Sequence, residues 1–125
     1  MAILVEKSEA ETFIPLKHVD FLVLLVLMDN DLHGYAIVKE IGDRTHGQIR
    51  LEPGNLYRYL KRLVHRGLVA ETESRPEPSQ DDERRRYYGV TVLGREVLDL
   101  EVGRLRVLIE GFDSTGLVPK RDARN

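Results

Sequence analysis

The chain has 125 residues, room for one domain built on a single hydrophobic core. Apolar residues make up 42% and charged residues 32%, the balance of a folded globular protein, and the absence of cysteine excludes disulfides, thiolate metal sites and cysteine nucleophiles together. The net charge of −2 carries no argument for a polyanion partner, so any such argument has to come from how charge is distributed.

Residues 1–15 read as an N-terminal extension ending at Pro15, with the apolar groups 3–5 and 13–14, compatible with a helix, an arm or a disordered tail. The first five residues lack a basic leader, and the longest apolar run, 21–28, is far short of the roughly 20 residues a bilayer span needs. The expected location is cytoplasmic, with no membrane partner. Residues 16–29 have helical length and are apolar nearly all round over 21–28, which predicts a helix buried on most sides. Asn30-Asp31 breaks it. A second helix is predicted over 34–44, with Tyr35, Ile37, Val38 and Ile41 as its apolar positions.

An extended piece, 48–51, leads to Pro53-Gly54. Proline suits a first helical turn, where its missing N–H is no loss. From there Leu56, Tyr59, Leu60 and Leu63 recur at helical spacing, and Gly67 is the residue type favoured just past a helix C-terminus, so a third helix is predicted over 53–66. Two strand-like segments, 68–73 and 86–91, flank a polar stretch with Pro76 and Pro78, the pattern of a β-hairpin with a long tip. Tyr87 and Tyr88 alternate on the second strand, so one is expected to face the core and the other solvent or DNA. A last helix over 92–112, about 30 Å long, precedes a charged tail over 113–125 expected to be flexible.

Three helices, a two-stranded hairpin and a further helix make a mainly α fold: a winged helix-turn-helix over 16–91 with a C-terminal helix over 92–112. The charge distribution fits that order. Residues 1–31 carry a net −4, while 54–66 carry Arg58, Lys61, Arg62 and Arg66 with no acid. With the apolar stripe of the third helix turned inward, its other face presents Asn55, Arg58, Lys61 or Arg62, and His65. A helix of this kind fits the major groove, where Arg pairs with guanine and Asn with adenine. Arg84, Arg85 and Arg86 would then reach the DNA backbone from the wing, and one docking geometry explains both basic clusters. Tyr57 lies beside the buried stripe and is expected at the core edge, with a phosphate contact through its hydroxyl as the second role.

Helix 4 carries Leu98, Val102, Leu105, Ile109 and Phe112 at heptad spacing, the seam of a homodimer. A second stripe, Leu93, Val97, Leu100 and Val107, is interrupted by Arg104 and is assigned to packing within the subunit. Catalysis finds no support. The four histidines fall on different elements without ligand spacing, no phosphate-cradling glycine loop is present, and neither a metal nor a cofactor is expected. The competing reading is a winged helix used for protein–protein contact, which would be expected to show apolar residues on the outer face of helix 3.

Three motifs in order sharpen this. His33-Gly34-Tyr35-Ala36-Ile37, then Leu51-Glu52-Pro53-Gly54-Asn55-Leu56-Tyr57-Arg58-Tyr59-Leu60-Lys61-Arg62-Leu63 with Gly67-Leu68-Val69, then Arg85-Arg86-Tyr87-Tyr88-Gly89-Val90-Thr91-Val92-Leu93-Gly94, together resemble the PadR family of bacterial transcriptional regulators across 16–112. Glu52 and Asn55 depart from that family's usual residues, as does the acidic wing tip Asp81-Asp82-Glu83. The resemblance, to the short subgroup with one C-terminal helix, implies a homodimeric repressor. It further implies release from DNA by a small aromatic or lipophilic effector, for which Phe21, Leu105 and Phe112 are the candidate pocket residues.

Overall fold

A computed structural model describes residues 7–72 and 86–114. The elements are a 3₁₀ turn at Ala10–Phe13, then α1 (His18–Leu27), β1 (Leu32–His33), α2 (Gly34–Arg44) and α3 (Pro53–His65), followed by β2 (Val69–Thr72), β3 (Tyr87–Val90) and α4 (Val92–Ser114). The winged helix-turn-helix order is therefore present, with helix boundaries within two residues of the sequence reading. The predicted tip of the wing, the tail beyond residue 114, and Arg84 and Arg85 lie outside the described residues.

The core is built from the apolar stripes in turn. Leu22, Val23, Leu24, Val26 and Leu27 of α1 meet Ile37 and Ile41 of α2, Leu56, Leu60 and Leu63 of α3, Leu68 and Val69 before the wing, and Val97 and Leu98 of α4; all are buried. Helix α3 buries its stripe against α1 and α2, which leaves its far side in solvent. Its end is sharp. Gly67 takes φ of 82°, a left-handed conformation that costs glycine nothing, and Leu68 N–H returns to the Leu63 carbonyl.

Two features correct the sequence reading of the wing. The sheet has three strands, in the order β1-β3-β2, because Leu32 and His33 pair antiparallel with Tyr88 and Tyr87. A two-residue strand is too short to show a period of two, so the sequence carried no signal for it. The added strand also explains why both tyrosines are buried, where one was expected to face outward. Tyr88 joins the core, while Tyr87 on the opposite face is covered edge-on by the His33 ring, 5.4 Å between centroids. His33 serves α2 as well: its Nδ1 accepts the Ala36 N–H and caps the helix.

Helix α4 starts against the wing. Thr91 Oγ1 donates to the Gly67 carbonyl and accepts the Gly94 N–H, closing the first turn. A side chain at Gly94 would run into the Leu68 carbonyl, so glycine sets how closely α4 approaches the wing. The described part of the N-terminal extension, from residue 7 on, is anchored to the domain. Ala10 is buried, and the 3₁₀ turn packs on α4. Glu101, buried on α4, accepts the Leu16 N–H at 2.7 Å and holds Arg104.

That arrangement splits the predicted dimer seam. Leu98 is buried in the core of the chain, and Val102 is partly buried and packs against that core. Leu105 is half-buried, whereas Ile109 and Phe112 are 59% and 57% exposed. Of the second stripe, Val97 is buried, Leu93 packs against the core, and Leu100 and Val107 are exposed. Helix α4 simply outruns the domain it packs on.

Candidate nucleic-acid interface

The outward side of α3 is where the sequence placed a reading surface, and its four cations divide into two pairs. Arg58 and Lys61 stand exposed on the side away from the core, flanked by Asn55 and His65. Arg58 Nη2 donates to Asn55 Oδ1 at 2.8 Å, one turn back along the helix. No carboxylate contacts Asn55, Arg58 or Lys61 among the described residues.

Arg62 has gone the other way. The Arg62 guanidinium donates to Asp20 Oδ1 at 2.6 Å, and Asp20, near the start of α1, is 1% exposed. The same guanidinium stands 5.2 Å above the Tyr59 ring. Held between Asp20 and Tyr59, Arg62 is an internal tie between α1 and α3 rather than part of the outward face to which it was assigned. The physical reason is the carboxylate: Asp20 is carried into the interior by the apolar run that follows it, and a buried carboxylate requires a partner. Arg66, itself exposed, lies over the Phe13 ring at 4.8 Å.

Sequence reasoning missed Asp20, Glu101 and Phe13 as partners of arginines. For Glu101 a signal existed. It sits three residues after Leu98 and four before Leu105, which puts a carboxylate on the face of α4 that Leu98 buries. The Arg104 and Leu16 hydrogen bonds lower the Glu101 pKa from its ordinary value, against the opposing effect of burial.

Between α3 and the wing lies a groove of about 340 Å³ lined by Tyr57, Lys61, Val64, Glu71, Arg86 and Tyr88. Tyr57 is half-exposed here, not a core-edge residue throughout; its hydroxyl packs over Gly34, where a Cβ would stand 3.0 Å away. Arg86, the wing arginine among the described residues, is ion-paired with Glu71 on the neighbouring strand at 3.2 Å, both side chains more than half exposed. An exposed pair of this kind is weak and screened by salt, so Arg86 can exchange Glu71 for a phosphate at little cost. Burial and the Glu71 carboxylate together push the Tyr88 hydroxyl pKa up, so it stays neutral and can serve as a donor.

A second groove, of about 470 Å³, runs between α1 and α4, with Leu25, Met28, Leu98 and Val102 on its floor and Asp29, Arg44, Asp99 and Arg106 at its rim. Phe21, Leu105 and Phe112 are not among the residues that line it.

With the helix order, the outward cations and the wing in place, comparison with known proteins is decisive. Residues 23–100 match the Transcriptional regulator PadR-like family. The chain belongs to that family. A PadR family transcription regulator from Clostridium difficile is similar at a TM-score of 0.64 and 26% identity, over 79% of this chain and 98% of that one. Bacillus subtilis PadR in complex with operator DNA has the same fold, with a TM-score of 0.58 at 17% identity over 69% of this chain and 47% of its own. Uncharacterized protein X of Lysinibacillus sphaericus is 30% identical over 81 residues, which is 65% of this chain and 72% of that relative. Family and fold are those of transcription regulators, not enzymes. Among the described residues no helix is long and apolar enough to cross a membrane.

Proposed function

We propose that this PadR-like chain is a sequence-specific DNA-binding repressor that acts as a homodimer on a pseudo-palindromic operator. The observation that carries the reading is the outward side of α3: Asn55, Arg58, Lys61 and His65, free of carboxylate contacts among the described residues, on a rigid helix whose opposite stripe is buried. Such a face lets a helix enter a major groove without repelling phosphate. Tyr57, Lys61 and Arg86 contact the backbone from the groove between helix and wing; Arg84 and Arg85, the other arginines of that basic cluster, lie outside the described residues. Bacillus subtilis PadR, a fold neighbour, was solved in complex with operator DNA, which supports DNA as the partner in this reading.

Two reading heads require a joint. The part of α4 beyond the domain supplies it: Leu105 half-buried, Val107, Leu108 and Ile109 exposed, with Phe112 on the same helix. Several apolar side chains together on one solvent-facing helix end favour a partner of like kind, and a two-fold pair of chains places reading helices about one helical turn of DNA apart, roughly 34–36 Å. The groove between α1 and α4 opens beside this joint. A small aromatic or lipophilic effector lodged in that groove, against Leu25, Met28 and Val102 and not the expected Phe21, Leu105 and Phe112, would change the head-to-head spacing and release the operator, provided it binds the two arrangements with different affinity.

The test is selection of bound duplexes from a random library with the full chain, followed by affinity measurements on the selected site. Arg58→Ala is expected to cost about 1–3 kcal/mol on that site and to relax one base pair. Unchanged affinity would remove α3 from the reading role. Titration of the complex with phenolic acids and lipophilic cations tests the effector: no compound shifting affinity by more than about threefold, or roughly 0.65 kcal/mol, discards the switch for those classes.

A further inference from the structure

Asn55 and Arg58 carry one more step. An asparagine on a reading helix is expected to recognise adenine by itself, its amide donating to N7 and accepting from N6. Here its carbonyl oxygen already accepts a hydrogen bond from Arg58 at 2.8 Å, between residues three apart on the exposed side of α3. We infer that Asn55 is a positioning residue that holds Arg58 in the pose for one guanine, and that Asn55 reads no base of its own. This role rests on the reading of α3 as the DNA-contacting helix.

The chemistry favours one unit over two readers. Arginine has five N–H donors in a planar fork, and guanine O6 and N7 need two of them. Giving one Nη2 hydrogen to Asn55 leaves enough donors for guanine and removes the rotamer freedom that an exposed arginine would otherwise lose on binding. A bidentate adenine contact by Asn55 would instead turn the amide toward the base and release Arg58. Gly54 supplies an independent observation. It lies four residues before Arg58, on the same side of the helix, and a Cβ built there meets nothing within 4 Å. Glycine weakens an exposed helical turn, and among the described residues no close contact requires it there. Arginine side chains lean over the preceding turn, so the space above Gly54 is where a base edge held by Arg58 would approach the backbone.

The experiment measures binding of the full chain to its selected operator and to a panel carrying every single base-pair substitution, by fluorescence anisotropy. Both side chains are exposed, and unchanged thermal unfolding controls for folding. Arg58→Ala is expected to abolish discrimination at one G·C pair, about a tenfold effect. Asn55→Ala is expected to weaken discrimination at that same pair by at least threefold, and the double variant to match Arg58→Ala. Asn55→Asp keeps the acceptor oxygen but cannot donate to adenine N7. It is expected to lower affinity for all duplexes through its charge while retaining the discrimination ratio at that pair. Relaxation of a different pair by Asn55→Ala, additive losses in the double variant, or loss of the ratio in Asn55→Asp would overturn the positioning role alone. Failure of the unsubstituted chain to select any duplex would overturn the reading of α3 as well.

Discussion

Helices α3 and α4 each carry a row of like residues that reads as one surface in the sequence and proves to be two in the structure. On α3 the row is cationic: Arg58 and Lys61 face solvent, Arg62 is held inward by Asp20, and Arg66, itself exposed, lies over the Phe13 ring. On α4 the row is apolar: Leu98 and Val102 are spent inside the domain, and the same heptad continues past the domain's edge as Leu105 and Ile109. Residue type and helical spacing are the same on either side of each division. What differs is what lies opposite. A carboxylate or a core decides the inward members, and the remainder stay in solvent. Counting charges or heptad positions along a chain therefore overestimates a binding surface by whatever the fold has already used.

Aspartate substitutions along α4 give the largest expected contrast. Leu98→Asp would bury a charge among apolar side chains, at a cost on the order of 4 kcal/mol or more, a large fraction of the roughly 5–15 kcal/mol that holds an ordinary domain folded. Ile109→Asp places the same charge on an exposed position and should leave urea unfolding of the domain nearly unchanged, while light scattering reports monomers. Leu105→Asp, at the boundary, should show part of each effect. Equal loss of stability at 98 and 109 would erase the division of α4.

On α3 the contrast is smaller. Arg62→Ala removes the cation from a carboxylate that is 1% exposed, and breaking such a pair from one side costs about 3 kcal/mol. Arg58→Ala touches no buried group and should change stability by less than about 0.5 kcal/mol while it damages operator discrimination. Chemical denaturation of the two variants side by side separates the roles. An Arg62→Ala protein as stable as the original would return Arg62 to the outward face.

Much of this fold is legible in the chain because its signals are local. The stripe Leu56, Leu60, Leu63 defines α3 and hence its outer face, and the glycine at 67 marks its end. The motif from His33 onward marks the start of α2. What stays hidden is long-range and polar. Asp20 and Arg62 are 42 residues apart, and no periodicity links an acid on one helix to an arginine on another. Likewise the Leu16 N–H finds Glu101 across 85 residues, so the docking of the N-terminal segment had no local signature. Strand β1 is two residues long and exists because β3 offers it an open edge. The outward site residues were readable since they are what remains once the stripe is assigned; the inward Arg62 needed the fold.

Glu101 tests the anchored side of α4 by pH. Its folded-state pKa is depressed by the Arg104 and Leu16 hydrogen bonds, so the ionised form is the one the fold favours. That contribution is fully present above the unfolded-state value, near 4.5, and is lost as pH falls through the lower folded-state value. Glu101→Gln should therefore lower stability at pH 7 by about 1.5 kcal/mol, the scale of a hydrogen bond to a charged group. The gap to the unsubstituted protein should narrow below about pH 4.5. A gap that stays constant from pH 7 to pH 3 would mean the carboxylate contributes shape alone.

Lys61→Ala is expected to have the smallest effect and to sharpen the outward side of α3. Lys61 lies between Arg58 and the wing, in the groove shared with Tyr57 and Arg86, and has no ion pair among the described residues. A lysine there acts as a point charge toward phosphate, without the planar fork that selects a base. Its removal should weaken binding to operator and to unrelated duplex by the same factor. The slope of log affinity against log salt should fall by about 0.9, the value for one phosphate no longer neutralised by the protein. Arg62→Ala, assayed at a temperature where it remains folded, should leave that slope unchanged because its charge is already neutralised by Asp20. If Lys61→Ala relaxed a particular base pair instead, the reading surface would extend toward the wing. If both variants lowered the slope equally, the two pairs of cations on α3 would be one surface after all.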